Sequence, residues 1–166
     1  MSKPNCNLTQ ERLRELLHYE PLTGVFTRLV STANWAKVGD VAGGKGGKDY
    51  LQIGIDNRDY KAHRLAWFYM TGAWPIDQID HIDGNPVNNR IENLREATNS
   101  VNKQNMRKAR SDNKSGLLGV GKNGKKWRAV IGVDGKNKHI GYFDTPELAH
   151  AAYLDAKRVL HVGCTI

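Results

Sequence analysis

The stretch DHIDGNPVNNRIENLREATNSVNKQN, Asp80 to Asn105, decides how this chain folds. Gln78, Ile79, Asp80 and His81 read as the end of a strand, Asp83 to Asn89 is rich in turn formers, and Leu94 to Ala97 can form a second short strand. Thr98 caps a helix running from Asn99 to about Arg107, one face of which carries Asn102 towards the hairpin. Successive strand side chains point to opposite faces, so Asp80 and His81 can serve a metal and a water from one strand end without competing for position. Hydrolysing a phosphodiester requires an activated water, neutralisation of charge on the phosphate, and help for the departing oxygen. Histidine ordinarily titrates near neutral pH, which suits His81 to the task of general base. Asp80 offers a hard anionic oxygen and Asn102 a neutral amide oxygen, a donor pair suited to Mg²⁺ or Mn²⁺. A calcium loop fails on spacing: aligning Gly84 to its glycine puts Ile79 at the first ligand position and Arg90 at the last, where carboxylates are required.

The Asp-His start, the DGN turn, the NNRIENL segment and the TNSVNKQN helix occur in this order over 26 residues. In that order they resemble the HNH (ββα-metal) endonucleases, in the phage and intron homing-type branch where the final histidine of the motif is an asparagine. The resemblance implies a metal-dependent DNA endonuclease with His81 and Asn93 as catalytic residues and Asp80 and Asn102 as metal ligands. It gives Asn93, the middle asparagine, the task of orienting the histidine ring and tying the loop to the hairpin. Asn88 and Asn89 stand in the loop as turn formers, because asparagine readily bonds its own backbone. An amide oxygen at Asn102 suits Mg²⁺ better than Zn²⁺. One active site per chain fits nicking most simply, and a DNA-binding regulator that keeps the HNH fold without turnover is the alternative.

Ahead of the motif, LTQERLRELLHYE sets Leu8, Leu13, Leu16 and Leu17 mostly on one helical face, with Thr9 as cap. Between Gly24 and Tyr60, short runs such as GVFTRLV and YLQIGID, separated by VGDVAGGKGGKD and DNRD, predict a small antiparallel sheet with a hairpin turn at Asp56 to Asp59. YKAHRLAWFYMTGAWP then follows helical spacing until Gly72 and Pro75 stop it. A histidine entering such a helix is ordinarily structural, so His63 is placed outside the site.

Beyond the motif, Gly119 to Gly141 predicts three short strands separated by glycine-bearing turns. Thr145 and Pro146 open a helix with Leu148, Ala149, Ala152, Tyr153, Ala156 and Leu160 turned inward. Alternation puts Trp127, Ala129, Ile131 and Val133 on the helix side of the sheet, so Trp127 is read as core. The runs GVGKNGKKWRAVI, KHIGYFDT and ELAHAAYLDAKR look like the ethylene-response-factor DNA-binding domain, which implies a sheet laid in the major groove. His139 occupies a position where that family often has a DNA-contacting tryptophan, and Leu118 and Gly121 stand where it often has arginines. Lys122, Lys125, Lys126, Arg128, Lys136, Lys138 and His139 are the expected DNA contacts there, with Lys103 and Arg107 extending the basic track from the preceding helix.

The fold expected is therefore α+β: an HNH module over 1–107, a polar linker over 108–116, and a three-stranded sheet packed on one helix over 117–166. Through Asn102 the chain carries 12 basic and 12 acidic residues, and beyond it 13 against 5, so the whole net charge of +8 lies in the last third. That asymmetry points to double-stranded DNA as partner. Cys6 and Cys164 are too few for a disulfide framework or a four-cysteine zinc site. The amino terminus lacks an apolar signal core and no apolar run reaches the roughly 18 residues that span a bilayer. The expectation is thus a cytoplasmic, phage-encoded protein of a bacterial host cell, with no membrane association, no protein partner indicated, and a monomeric state.

Overall fold

The computed structural model describes residues 8–46 and 50–165, in two compact units, Met1–Ala97 and Thr98–Ile166. Cys6 and the Gly47–Asp49 part of the glycine-rich stretch lie outside the described residues. The protein is mixed α+β, with several small antiparallel sheets and four helices among the described residues.

In the first unit, helix α1 (Gln10–Leu16) is capped by Thr9, whose hydroxyl oxygen accepts from the Arg12 amide at 3.1 Å. The sequence reading carries this helix through Glu20. Instead, Leu17–Glu20 forms strand β1, paired antiparallel with β2 (Val25–Arg28) from Leu17 opposite Arg28 to Glu20 opposite Val25. The reason is the burial of Leu17 and Tyr19 around an exposed His18, a period of two that a strand satisfies. The runs expected to share one sheet therefore separate: GVFTRLV pairs with β1, while β3 (Gly44–Lys45), β4 (Leu51–Ile55) and β5 (Arg58–Lys61) form a second sheet. Asp56 and Asn57 join β4 to β5 with φ of 47° and 61°, the left-handed pair of a type I′ hairpin turn.

Helix α2 (Ala62–Thr71) ends at Gly72, which takes a φ of 74° while its N–H donates to the Phe68 carbonyl. That left-handed cap is the physical content of the glycine stop read from the sequence. The helix turns Leu65, Ala66 and Phe68 into a core with Leu13, Leu17, Tyr19, Phe26 and Ile53. Strand β6 (Gln78–His81) then pairs antiparallel with β7 (Leu94–Ala97), setting Asp80 opposite Arg95 and His81 opposite Leu94.

The second unit opens with α3 (Asn99–Gln104), capped by Thr98 and shorter than expected. Its end is drawn into other contacts: the Gln104 side chain accepts from the Gly163 amide at 3.0 Å, and the Met106 carbonyl accepts from Lys157 Nζ. In the stretch read as a linker, the Asn113 amide donates to the Leu117 and Val120 carbonyls at 3.0 and 3.3 Å. Strands β8 (Val120–Asn123), β9 (Lys126–Val133) and β10 (Lys136–Phe143) form an antiparallel sheet in the order β10-β9-β8. Helix α4 (Pro146–Leu160), capped by Thr145, packs Ala149 and Tyr153 on Val120, Ala129 and Ile131. Trp127 is half-buried against this core, as read. Leu148, expected inside, is 55% exposed in the first helical turn, and Lys157 takes an inward position because its ammonium finds the Met106 carbonyl. Among the described residues no helix is long and apolar enough to cross a membrane.

Candidate active site

Asp80 and His81 sit at the end of β6, and both are buried, 6% and 5% exposed. A buried carboxylate is costly unless it is paired. Arg95, directly across the hairpin, supplies the pairing through Nε and Nη2, which donate to Asp80 Oδ2 at 3.0 and 2.8 Å. His81 Nε2 lies 3.1 Å from Asn89 Oδ1. Asn89 is itself 1% exposed, and its backbone carbonyl accepts from the Tyr19 hydroxyl at 2.6 Å. The turn between β1 and β2 presses on the same place. Gly24, at a φ of 74°, has no room for a side chain: a Cβ there would lie 2.5 Å from Arg90 N and from Asn89 C. Pro21 O accepts from Ile91 N at 3.3 Å, closing this contact.

The loop between the strands is organised by Asn93. Its Oδ1 accepts from Asp83 N at 3.0 Å, and its Nδ2 donates to Asp83 Oδ1 at 3.0 Å and to Asn88 O at 2.8 Å. Its backbone carbonyl accepts from Ile82 N at 2.9 Å. Burial pushes the Asp83 carboxyl up, but hydrogen bonds from Asn88, the Asn85 amide and Asn93, with the His81 charge, outweigh it and hold the group below the usual carboxylate range. Asn93 thus ties the loop to the hairpin, while the amide that meets the imidazole is that of Asn89, which sequence reasoning leaves as a turn former. Adjacent asparagines at 88 and 89 look alike in sequence, and only packing separates them.

His63, also left aside by sequence reasoning, borders the site. Its ring meets His81 edge-on with centroids 5.1 Å apart, and Tyr50 stands 5.1 Å from His63 and 6.0 Å from His81. Burial, aided by positive charge at His81, Lys61 and Arg64, pushes the His63 pKa down to about 3, so this imidazole is neutral. The strand register does contain one signal that could have been used, the opposition of Asp80 and Arg95.

The remaining candidates lie in the second unit. Asn102 is half-buried on α3, with its N–H donating to Thr98 O at 3.0 Å, and Lys103 is exposed beside it. Arg107 is exposed, and its Nη2 donates to the Thr165 hydroxyl and carbonyl at 2.7 and 3.1 Å. In the sheet, paired residues share a face. Lys126, Arg128 and His139 fall on the face away from α4, together with Tyr142, opposite Arg128 and 4.5 Å ring to ring from His139. Lys122, Lys136 and Lys138 occupy register positions of the helix side and are exposed there, Lys122 lying 5.7 Å from the Trp127 ring. Lys125 lies on the exposed turn between β8 and β9.

Residues 60–104 match the HNH endonuclease family. Over 108 residues the chain is 37% identical to Protein 3.8 of Escherichia phage T7, covering 61% of this chain and 88% of that protein. The chain belongs to the family of phage T7 Protein 3.8 and carries an HNH endonuclease domain. No solved structure matches it. The HNH segment begins at Tyr60 in β5 and ends with the last residue of α3, so Tyr19 and Gly24, which meet the Asn89 backbone, and Tyr50, whose ring lies beside His81, come from outside it. Such a domain implies nuclease or DNA-binding function. Among the described residues no three His, Cys, Asp or Glu side chains gather as a metal site.

Proposed function

We propose that the protein is a metal-dependent DNA endonuclease of the phage homing type, hydrolysing phosphodiester bonds at the β6–β7 hairpin and targeted by its basic carboxy-terminal sheet. The observation that carries the reading is a buried imidazole at a strand end, beside a buried carboxylate, within the segment that matches HNH endonucleases. His81 takes the proton of the attacking water, and Asn93 keeps the loop closed on the hairpin through its three side-chain hydrogen bonds.

The donor set fits a hard divalent ion. Asp80 provides a buried carboxylate and Asn102 an amide oxygen, both hard donors of the kind such an ion takes. These two residues would hold Mg²⁺ or Mn²⁺, which when bound neutralises charge on the phosphate and stabilises the leaving oxygen. Lys103 and Arg107 on the HNH side, and Lys122, Lys125, Lys126, Arg128, Lys136, Lys138 and His139 on an ethylene-response-factor-like reader, contact double-stranded DNA, mainly through phosphates.

The test is incubation of supercoiled plasmid with Mg²⁺ or Mn²⁺. Wild type converts it to nicked or linear product and His81→Ala does not; equal cleavage by both overturns the assignment. One observation favours a second reading, a DNA-binding regulator without turnover: Arg95 already occupies Asp80 Oδ2, where an ion would have to compete. Tight duplex binding without any cleavage in either metal would select it.

A further inference from the structure

Resting on the nuclease reading, we infer that residues 161–165, which follow α4, form a strap that keeps α3 helical and so positions its Asn102, the amide proposed to hold the metal. Helix α3 is six residues long and buries none of them. Helices shorter than about 12–15 residues are marginal in water by themselves, so the Thr98 cap alone does not hold α3, and its order has to come from contacts outside the helix. The strap supplies them. The Gly163 N–H donates to Gln104 Oε1 at 3.0 Å, and the Thr165 hydroxyl donates to Asn105 Oδ1 at the end of the helix. Just past that end, Arg107 donates to the Thr165 hydroxyl and carbonyl.

The strap is itself tied to the sheet. His161 closes α4 with its N–H on the Lys157 carbonyl at 3.0 Å, and its Nε2 donates to the Gly132 carbonyl of β9 at 2.7 Å. The Cys164 N–H then donates to the His161 carbonyl at 3.0 Å, a turn that sets Gly163 against α3. That approach admits no side chain: a Cβ on Gly163 would collide with the Val101 carbonyl oxygen and lie 3.0 Å from Val101 Cγ1. One turn earlier in α4 the Lys157 ammonium donates to the Met106 carbonyl, so the end of α3 is gripped from that helix as well. The HNH segment stops at Gln104, and these contacts to its last helix come from residues 157–165, outside it.

The test is amide hydrogen exchange in the full chain without metal. It compares wild type with Gly163→Val, which crowds Val101, with Thr165→Val, which keeps the shape and loses the hydroxyl, and with Thr165→Ser, which keeps the hydroxyl. In wild type the Asn102 and Asn105 amides, which donate to Thr98 O and Val101 O, are protected. In Gly163→Val and Thr165→Val they exchange about 10-fold faster or more while the β9 amides keep their rates, and Thr165→Ser behaves as wild type. In plasmid cleavage with Mg²⁺, Gly163→Val lowers kcat by about 10- to 100-fold with KM unchanged, the usual loss when the support behind a metal ligand is removed. Wild-type exchange rates in both valine variants, or a loosened α3 with full kcat, overturn the inference. Should Gly163→Val fail to fold, which lost β9 protection reports, the two Thr165 variants decide by the same exchange and cleavage readouts. A wild type that cuts no DNA defeats the nuclease reading alone, because the exchange rates still tell whether the strap holds α3.

Discussion

Replacing Gly24 with alanine tests whether the β1–β2 turn buttresses the His81 partner. Two costs add. At a φ of 74° an alanine sits in the left-handed region, which costs roughly 1–2 kcal/mol. Its Cβ would also fall 2.5 Å from Arg90 N and Asn89 C and 2.9 Å from Asn89 O, all backbone atoms that cannot swing aside as a flexible side chain does. Overpacking of this kind costs about 1–3 kcal/mol, so the expected loss is about 2–5 kcal/mol. For a unit of this size each kcal/mol lowers Tm by about 4–8 °C, which makes the loss measurable. Gly39→Ala is the control: Gly39 has a φ of 88°, a Cβ there would meet nothing within 4 Å, and the change should cost only the backbone part. Urea unfolding followed by tryptophan fluorescence in a Trp127→Phe background reports the first unit alone, through Trp35, Trp67 and Trp74. Gly24→Ala should also cut DNA more slowly, because Asn89 is displaced with its backbone. If Gly24→Ala is no less stable than Gly39→Ala, the buttress does not exist.

Two further outcomes follow from the same structure. His63 is held at about 3 against an ordinary value of 6.5, so the unfolded chain binds a proton that the folded one refuses; stability present above pH 6.5 is lost as pH falls from there towards 3, amounting to about 2 kcal/mol at pH 5. Urea midpoints at pH 7 and pH 5 should show this loss in wild type and not in His63→Phe, and equal slopes in both would refute it. Arg128 lies exposed on the sheet face away from α4, so Arg128→Ala should reduce the slope of log affinity against log salt for duplex DNA by about 1, measured by fluorescence anisotropy; an unchanged slope would remove Arg128 from the phosphate contacts.

The elements most legible in the sequence are those whose local chemistry agrees with their tertiary setting. Gly72 ends α2 by a left-handed cap, Thr145 and Pro146 open α4, and the β6 and β7 runs pair where turn residues separate them. Legibility fails where two periods compete. Leu16, Leu17 and Tyr19 suit a helix face and a strand almost equally, and the pairing of Leu17 with Arg28 decides for the strand. It fails again where a polar atom finds a remote partner. Lys157 lies four residues beyond Tyr153, a core position in spacing but not in residue type, and only the Met106 carbonyl makes its burial tolerable.

The candidate site divides along the same line. Asp80, His81 and Asn93 are carried by an ordered motif, whose spacing is visible in the chain itself. Asn89, His63 and Gly24 are not, because what gives them meaning is proximity across sequence separations that no local pattern encodes. His63 and His81 are each 5% exposed and touch each other, yet one faces an amide oxygen while the other has a buried Nδ1 with no hydrogen-bond partner among the described residues. A neutral His63 adds no charge beside His81, which suits the role of base proposed for His81. The helix that supplies His63 therefore brings a neutral ring, not a second charge, to the edge of the motif's imidazole.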